Sequence, residues 1–518
     1  MAVIDYFDRG WRLNPTGAAY IQGERAFTYN EVGALSCRIA NKLLALRLPK
    51  EAKGAVWSGN DVTAWTCTLG IWRANKAWIP INPRSSAEDN RYIIDTFDCE
   101  ILFFQNAYAS IVEPMRDALT KVKHLVCIDA DLAWAPSLAS WLGDASAVMP
   151  VVPYEMDDVV MLTPTGGTTG MPKGVMNTHR SLQTFLGFNL TACTYRDGAR
   201  PVNLAMAPMT HAAGLLSVPC IAQGGTVVVL AKPDPAALIE NVARHRVTEF
   251  FLPPTVIYRL LEVPGIAEAD FSSMKYLMYG AAPMSVEKLK KAIEIFGPVL
   301  MGGYGQTEAP AGISILRPDE HMVGGALASD ERLSSVGHTN PLVRVEIMDD
   351  DGRIVPDGET GEICVRGDIV MKGYYKDPEK TAETIVDGWL HTGDIGHFDG
   401  EHRLHITDRK KDMIITGGFN VYPSQVEQVL WSHPAVQDCA VIGVPDEKWG
   451  EAVKAVVELN PGQTVSAEEL IALCKERLGS VMAPKSVDFI ASLPRSLAGK
   501  VLKKDLRQQF WQQAQRKI

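Results

Sequence analysis

The sequence lacks several things that would place it quickly. Nine cysteines are scattered from Cys37 to Cys474 without a CxxC pair, which predicts reduced, mostly buried thiols in a cytoplasmic protein rather than a disulfide framework or a thiolate metal site. No apolar run approaches the ~18 residues a membrane span needs. The opening MAVIDYFDRGWRLNP has neither the basic start nor the apolar stretch of a signal peptide. A basic surplus is missing too: 51 Lys and Arg stand against 61 Asp and Glu, a net charge of -10, so nucleic acid is not the expected partner. There is no internal repeat and no low-complexity tract. What remains is 518 residues, 46% hydrophobic and 22% charged, enough for roughly two to four domains with cores of their own.

The apolar pattern alternates along most of the chain. A helix is predicted from Tyr29 to Leu46, a strand at Gly54 to Trp57, a helix from Asp61, and strands at Ala77 to Ile81, Ile101 to Phe104, Leu125 to Ile128 and Val159 to Leu162. The alternation continues through GTVVVL at Gly225, VTEFFLPP at Val247, MKYLMYGAAP at Met274 and PVLMGGYGQTE at Pro298. This predicts an α/β fold, with ligands gathered at the C-terminal ends of strands. After about Ser335 the sequence turns β-rich and full of turn dipeptides, as in a small barrel or antiparallel sheet. The charged, glycine-containing segment Ile406 to Pro423 marks a boundary. Beyond it a compact α+β domain is expected, with helices at Pro423 to Ser432 and Ala467 to Leu478 and strands at Gln437 to Val444, Val453 to Leu459 and Ser486 to Ile490.

The segment MLTPTGGTTGMPKGVMNTHR, Met161 to Arg180, joins a β-branched strand to a glycine-rich turn and a lysine. Gly166, Gly167 and Gly170 let backbone N–H groups converge on an anion. Thr165, Thr168 and Thr169 add hydroxyl donors, and Lys173 adds a point charge. A polyphosphate fits. A Walker P-loop does not, because that motif needs Gly-Lys followed by Ser or Thr, and Lys173 lies between Pro172 and Gly174.

TGGTTGMPKGV resembles the phosphate loop of the adenylate-forming superfamily, which includes acyl-CoA synthetases, peptide-synthetase adenylation domains and luciferases. Five further segments resemble that family's motifs in order: YGAAP (Tyr279 to Pro283), GGYGQTE (Gly302 to Glu308), GWLHTGDIG (Gly388 to Gly396), DRKKDMIITGGFNVYPSQVE (Asp408 to Glu427) and LPRSLAGKVLKKDLR (Leu493 to Arg507). The resemblance covers essentially the whole chain from FTYNEV at Phe27. Gly166 departs from it, standing where the family usually has serine or threonine.

The resemblance implies a large N-terminal domain over residues 1–408, with layered sheets and a small barrel-like subdomain, and a mobile C-terminal α+β domain over residues 409–518. It implies that a carboxylate attacks the α-phosphorus of ATP to give an acyl-adenylate and pyrophosphate, and that a thiol then expels AMP. In that frame Gly280, Ala281 and Ala282 form the adenine turn, Tyr304 stacks on adenine, and Asp394 accepts the ribose hydroxyls. Arg409 pairs with phosphate or ribose, Thr307 contacts the α-phosphate, and Glu308 holds Mg²⁺, which favours one or two carboxylates plus phosphates. Lys500 bridges carboxylate and α-phosphate, whereas Lys503 and Lys504 are expected to be solvated. Lys411 is the hinge, and Gly417 and Gly418 wall the path of the pantetheine arm of coenzyme A.

His211, Ala212 and Ala213, with Gly302, Gly303 and Gly305, are expected to line the acyl pocket. Relatives that activate amino acids place an aspartate where Ala212 stands. Acetate-specific ones place a tryptophan where Gly305 stands, and dicarboxylate-specific ones place an arginine in the pocket. A roomy, neutral, apolar pocket follows, suited to a medium- or long-chain fatty acid or an aromatic acid. An acid–CoA ligase using ATP, Mg²⁺ and coenzyme A is therefore expected. A carrier-protein loading enzyme is the alternative, and it would be expected to continue into a carrier domain beyond Ile518. A non-enzymatic nucleotide-binding module would leave Glu308 and Lys500 without a role. A homodimer and an acetyltransferase–deacetylase pair acting on Lys500 complete the expected partners.

Overall fold

The computed structural model describes residues 1–165, 172–195, 198–446, 448–496 and 500–511. Two large mixed sheets dominate. The first has seven strands in the order Gly373–Tyr374, Lys173–Thr178, Val159–Thr165, Ala77–Pro80, Lys53–Trp57, Cys99–Phe104 and His124–Cys127. The second has nine, in the order His338–Thr339, Ala309–Leu316, Leu300–Gln306, Tyr276–Gly280, Glu249–Leu252, Val202–Ala205, Thr226–Val229, Ala18–Gln22 and Arg25–Thr28. Their central strands run parallel, as the alternating pattern requires, and their expected bounds hold to within a few residues.

Local sequence explains the helix starts. Thr28 and Glu31 form a reciprocal capping box at the start of Tyr29–Ala45. The Asp61 carboxylate accepts the Ala64 N–H at 2.8 Å and caps Val62–Arg73. Three buried tryptophans, Trp65, Trp72 and Trp78, meet edge to face with each pair of centroids 5.6 Å apart. Such contacts add about 0.5–1.5 kcal/mol each beyond area burial. All nine cysteines are free and buried. Among the described residues no helix is long and apolar enough to cross a membrane.

The β-rich segment is a five-stranded antiparallel sheet. Its long strand Trp389–Phe398 pairs with Gly361–Arg366, Ile385–Val386 and Leu404–Arg409. A single turn of 3₁₀-helix, Lys410–Asp412, then leads into the C-terminal sheet, which starts at Ile414–Thr416 and is built on the hairpin Val436–Asp446 and Gly450–Leu459. Helices Pro423–Trp431 and Ala467–Met482 cover one side of it through Val426, Leu430 and Leu470. A last helix, Lys503–Trp511, has no counterpart in the sequence-based reading. The fold is α/β with a large N-terminal domain and a small C-terminal one.

Candidate active site

The strands on either side of the glycine-rich stretch, Val159–Thr165 and Lys173–Thr178, pair antiparallel. Thr165 ends the outgoing strand and pairs with Lys173, which opens the returning strand. This differs from a P-loop, where the turn leads into a helix. Gly166, Gly167, Thr168, Thr169 and Gly170 lie outside the described residues. The Lys173 ammonium lies 3.3 Å from an Asp377 oxygen and 5.5 Å from the centre of the Tyr374 ring. The Tyr374 hydroxyl donates to Glu308 Oε1 at 2.8 Å. Tyr374 and Asp377 thus tie Lys173 to Glu308, a link the sequence did not disclose.

Strands Tyr276–Gly280 and Leu300–Gln306 run side by side and end at the cleft. A Cβ on Gly280 would lie 2.6 Å from the Gly303 carbonyl oxygen, and one on Gly302 would lie 2.8 Å from the Tyr279 hydroxyl. Backbone leaves no room for a side chain at Gly280, and at Gly302 the buried Tyr279 ring would have to shift. Gly303 differs: it is exposed, and the nearest atom a Cβ there would meet is 3.9 Å away. Gly305, Thr307 and Glu308 follow, each half-buried. Ala281 holds a left-handed φ of 67°, a cost of about 1–2 kcal/mol for a residue with a Cβ. Ala282 follows it, half-buried.

Across the cleft stands Asp394, paired in register with Arg409 on the neighbouring strand. The Arg409 Nε lies 2.7 Å from Asp394 Oδ1, and the Tyr304 hydroxyl donates to Asp394 Oδ2 at 2.7 Å. Burial raises the Asp394 pKa, and Arg409 and the Tyr304 hydroxyl counter it. Arg409, Lys410, Lys411 and Gly393 line a cavity of about 310 Å³ beside this pair. Among the described residues no cluster of three metal-ligating side chains exists. The lone carboxylate of Glu308 suits a magnesium ion that takes its remaining ligands from phosphate and water.

Lys500 reaches this cleft from the C-terminal domain. Its side chain is solvent-accessible, yet the cleft walls strip enough hydration to lower its pKa, with Arg409 and Lys411 acting in the same direction. Asp394 and Glu308 oppose that shift, so all four groups lie within electrostatic reach of the amine. Lys504 is exposed, as expected, but Lys503 corrects the sequence-based reading. Its ammonium lies 2.8 Å from Glu427 Oε1 with both side chains largely buried. Burial alone would lower its pKa, but Glu427 and Asp408 together raise it. Lys503 is therefore a structural ion pair.

A pH dependence follows. In the role its motif implies, Lys500 acts as a charged amine, and burial in the cleft lowers its pKa from that of an ordinary lysine. We expect kcat/KM for adenylation to fall on an alkaline limb at lower pH than a solvated lysine would give. Lys500→Arg should abolish that limb, since guanidinium does not titrate there. A pyrophosphate-exchange pH profile identical in the two proteins would refute this.

His211 and Ala213 lie on a π-helical turn, Met209–Ala213, which precedes the helix Gly214–Ala222. Nothing is described for the Ala212 side chain. Burial lowers the His211 pKa, so its imidazole is neutral near pH 7. Gly417 and Gly418, at φ 58° and 84°, form an exposed turn between Ile414–Thr416 and Phe419–Val421. A Cβ on Gly417 would lie 2.5 Å from the Trp449 ring. Trp449 carries no local motif, and only the fold brings it to this turn.

Comparison with known proteins agrees with this geometry. The AMP-binding enzyme family matches residues 7–375 and the AMP-binding enzyme C-terminal domain matches residues 425–500. A medium/long-chain-fatty-acid–CoA ligase of Mycobacterium tuberculosis, FadD8, is 42% identical over 369 residues, which is 70% of this chain and 63% of that protein. A feruloyl-CoA synthase of Amycolatopsis sp is 34% identical over 502 residues, 96% of this chain and 97% of that one. Among solved structures, the amide bond synthetase McbA of Marinactinospora thermotolerans superimposes with a TM-score of 0.89 at 30% identity, covering 98% of this chain and 99% of that one.

Proposed function

Since this chain belongs to the AMP-binding enzyme family, we propose that it is an ATP-dependent acid–CoA ligase in which Lys500, Glu308, Asp394 and Arg409 serve the adenylation step. The observation that carries this reading is Lys500, delivered by the C-terminal domain into a cleft that already holds the other three. A carboxylate and a triphosphate repel one another as they approach, so a fixed cation between them lowers the barrier. Asp394, held by Arg409 and Tyr304, offers acceptor oxygens to the ribose. The turn Gly280 to Ala282 and the Tyr304 ring form the adenine pocket. Thr307 and the glycine-rich stretch from Thr165 to Lys173 bind phosphate. Glu308 holds magnesium, which when bound neutralises phosphate charge.

The acid is a medium- or long-chain fatty acid or an aromatic acid. A neutral His211, the small residues Ala213 and Gly305, and the open space beside Gly303 support an uncharged pocket. Coenzyme A is the acceptor, entering past Gly417 and Gly418 after the small domain pivots at Lys411. A cytoplasmic location, a homodimer and acetylation of Lys500, which would remove its charge, are further parts of this reading.

The test is thioester formation from a panel of such acids with ATP, magnesium and coenzyme A. Acid-dependent pyrophosphate exchange together with acyl-CoA formation is expected. Exchange without acyl-CoA from any acid would point to a different acceptor, a carrier protein in place of coenzyme A. No exchange with any acid would overturn the reading.

A further inference from the structure

The two faces of the nine-stranded sheet are packed differently. On one face Phe250, Leu252, Leu277, Tyr279 and Leu300 are all buried in a continuous core. On the other, Phe251, Met278 and Tyr276 are only half-buried although they sit on central strands, and Gly303 is exposed. The acid path we consider runs along that face from the exposed Gly303, beside the cluster of Phe188, Cys193 and the buried Met301 against which Tyr276 and Met278 pack. Strand register orders the path into rows. Gly280 pairs with Gly303 at the cleft, Phe251 with Met278 and Met278 with Met301 in the next row, and Asn203 with Glu249 and Glu249 with Tyr276 in the third. Two residues of strand advance about 6.6 Å, so the third row lies roughly 13 Å from the first. That is the span of a medium-length acyl chain or a two-ring acid.

The path ends on polar groups. Glu249 is 2% exposed. The Tyr195 hydroxyl donates to its Oε2, and Asn203 Nδ2 donates to its Oε1 at 3.2 Å. Thr248 Oγ1 donates to the Tyr195 oxygen at 3.3 Å. Both partners of the carboxyl are neutral, and burial raises its pKa. A carboxyl has about four lone-pair sites and, when protonated, a donor as well. Two of those sites are used here, so it keeps capacity for a ligand. An apolar residue at position 249 would continue the pattern of its strand, whereas a carboxyl buried at this depth is costly unless it is fully used.

The structure assigns Glu249 and Tyr195 as the distal specificity determinants of the acid path, selecting acids that carry a hydroxyl group at the end remote from the reacting carboxylate. This rests on the acid–CoA ligase reading and names its substrate class.

The test compares acids that differ only by a distal hydroxyl: para-hydroxycinnamate against cinnamate, and ω-hydroxydecanoate against decanoate. The wild type should prefer the hydroxylated member of at least one pair by about tenfold or more in kcat/KM, because a site built to hydrogen-bond a substrate group rejects the analogue lacking it. Tyr195→Phe, which deletes one hydroxyl, and Glu249→Met should each reduce that preference by about tenfold while the plain acid keeps its kcat/KM to within about threefold. Unchanged melting temperatures confirm that the variants fold, and Tyr195→Phe decides the matter should Glu249→Met not fold. Turnover of the plain acids by wild type without preference in either pair would overturn the inference and leave the ligase reading intact. So would a preference that survives in the folded variants. Failure to turn over any acid would remove the ligase reading itself.

Discussion

Lys500→Ala is expected to slow adenylate formation by on the order of 10²–10³-fold or more, the effect of removing an oriented charge from a site of developing charge. It should leave thioester formation from pre-made acyl-adenylate near wild type. The first half follows from electrostatics: Asp394, Arg409 and Glu308 all act on the charge of the Lys500 amine. The second follows from the position of the Gly417–Gly418 turn, which is exposed on the same small domain. In the proposed two-pose cycle Lys500 serves one arrangement of the small domain and this turn serves the other. Single-turnover assays of the two half-reactions decide the matter, with an unchanged melting temperature excluding gross unfolding. Equal losses in both half-reactions would contradict the assignment.

Much of this was readable before any fold was known, for reasons that differ residue by residue. Strands such as Glu249–Leu252 and Tyr276–Gly280 announce themselves through short apolar, β-branched or aromatic runs. Gly280 is a glycine because neighbouring backbone leaves no room for a Cβ, a Cβ on Gly302 would make the buried Tyr279 ring shift, and such constraint concentrates in motifs. Asp394 was legible as a motif residue, but its bonds to Tyr304 and Arg409 were not. Tyr304 lies far from it in sequence, and the Arg409 pairing depends on strand register.

Tyr374 ends a short edge strand and Asp377 caps the helix Pro378–Thr384, and their meaning for the site comes only from being folded against Glu308 and Lys173. Lys503 reads as solvated from sequence because Lys-Lys next to a motif looks like an exposed pair. Its buried partner Glu427 lies far away in sequence, outside any local window. Glu249 did leave a trace: a lone acid in VTEFFL, on an otherwise apolar central strand. Its significance appears only once the register places it two rows below Gly303.

Lys411→Pro should produce the reverse of the lysine deletion. Adenylation should survive with a modest loss, and transfer to coenzyme A should fall by on the order of a hundredfold, through a backbone that can no longer change φ. Lys411 lies in the 3₁₀ turn Lys410–Asp412 between the antiparallel sheet and the C-terminal sheet. Proline's fixed φ suits such a turn, so the arrangement with Lys500 in the cleft remains accessible. The modest loss falls on Lys410, since the residue before proline is pushed away from helical backbone angles. Arg507, from the last helix, donates to the Lys411 carbonyl at 3.4 Å and lies 3.2 Å from Asp412 Oδ1, and these contacts use groups that proline retains. The substitution is therefore compatible with the observed pose while it restricts the backbone change that leaving it would need. In the proposed cycle the small domain rotates to bring Gly417, Gly418 and Trp449 to the acyl-adenylate, and this turn is a short connection placed to absorb the change. A burst of enzyme-bound acyl-adenylate that coenzyme A fails to discharge is the expected signature in rapid-quench experiments. Normal discharge of that intermediate would place the pivot elsewhere in the 410–413 connection.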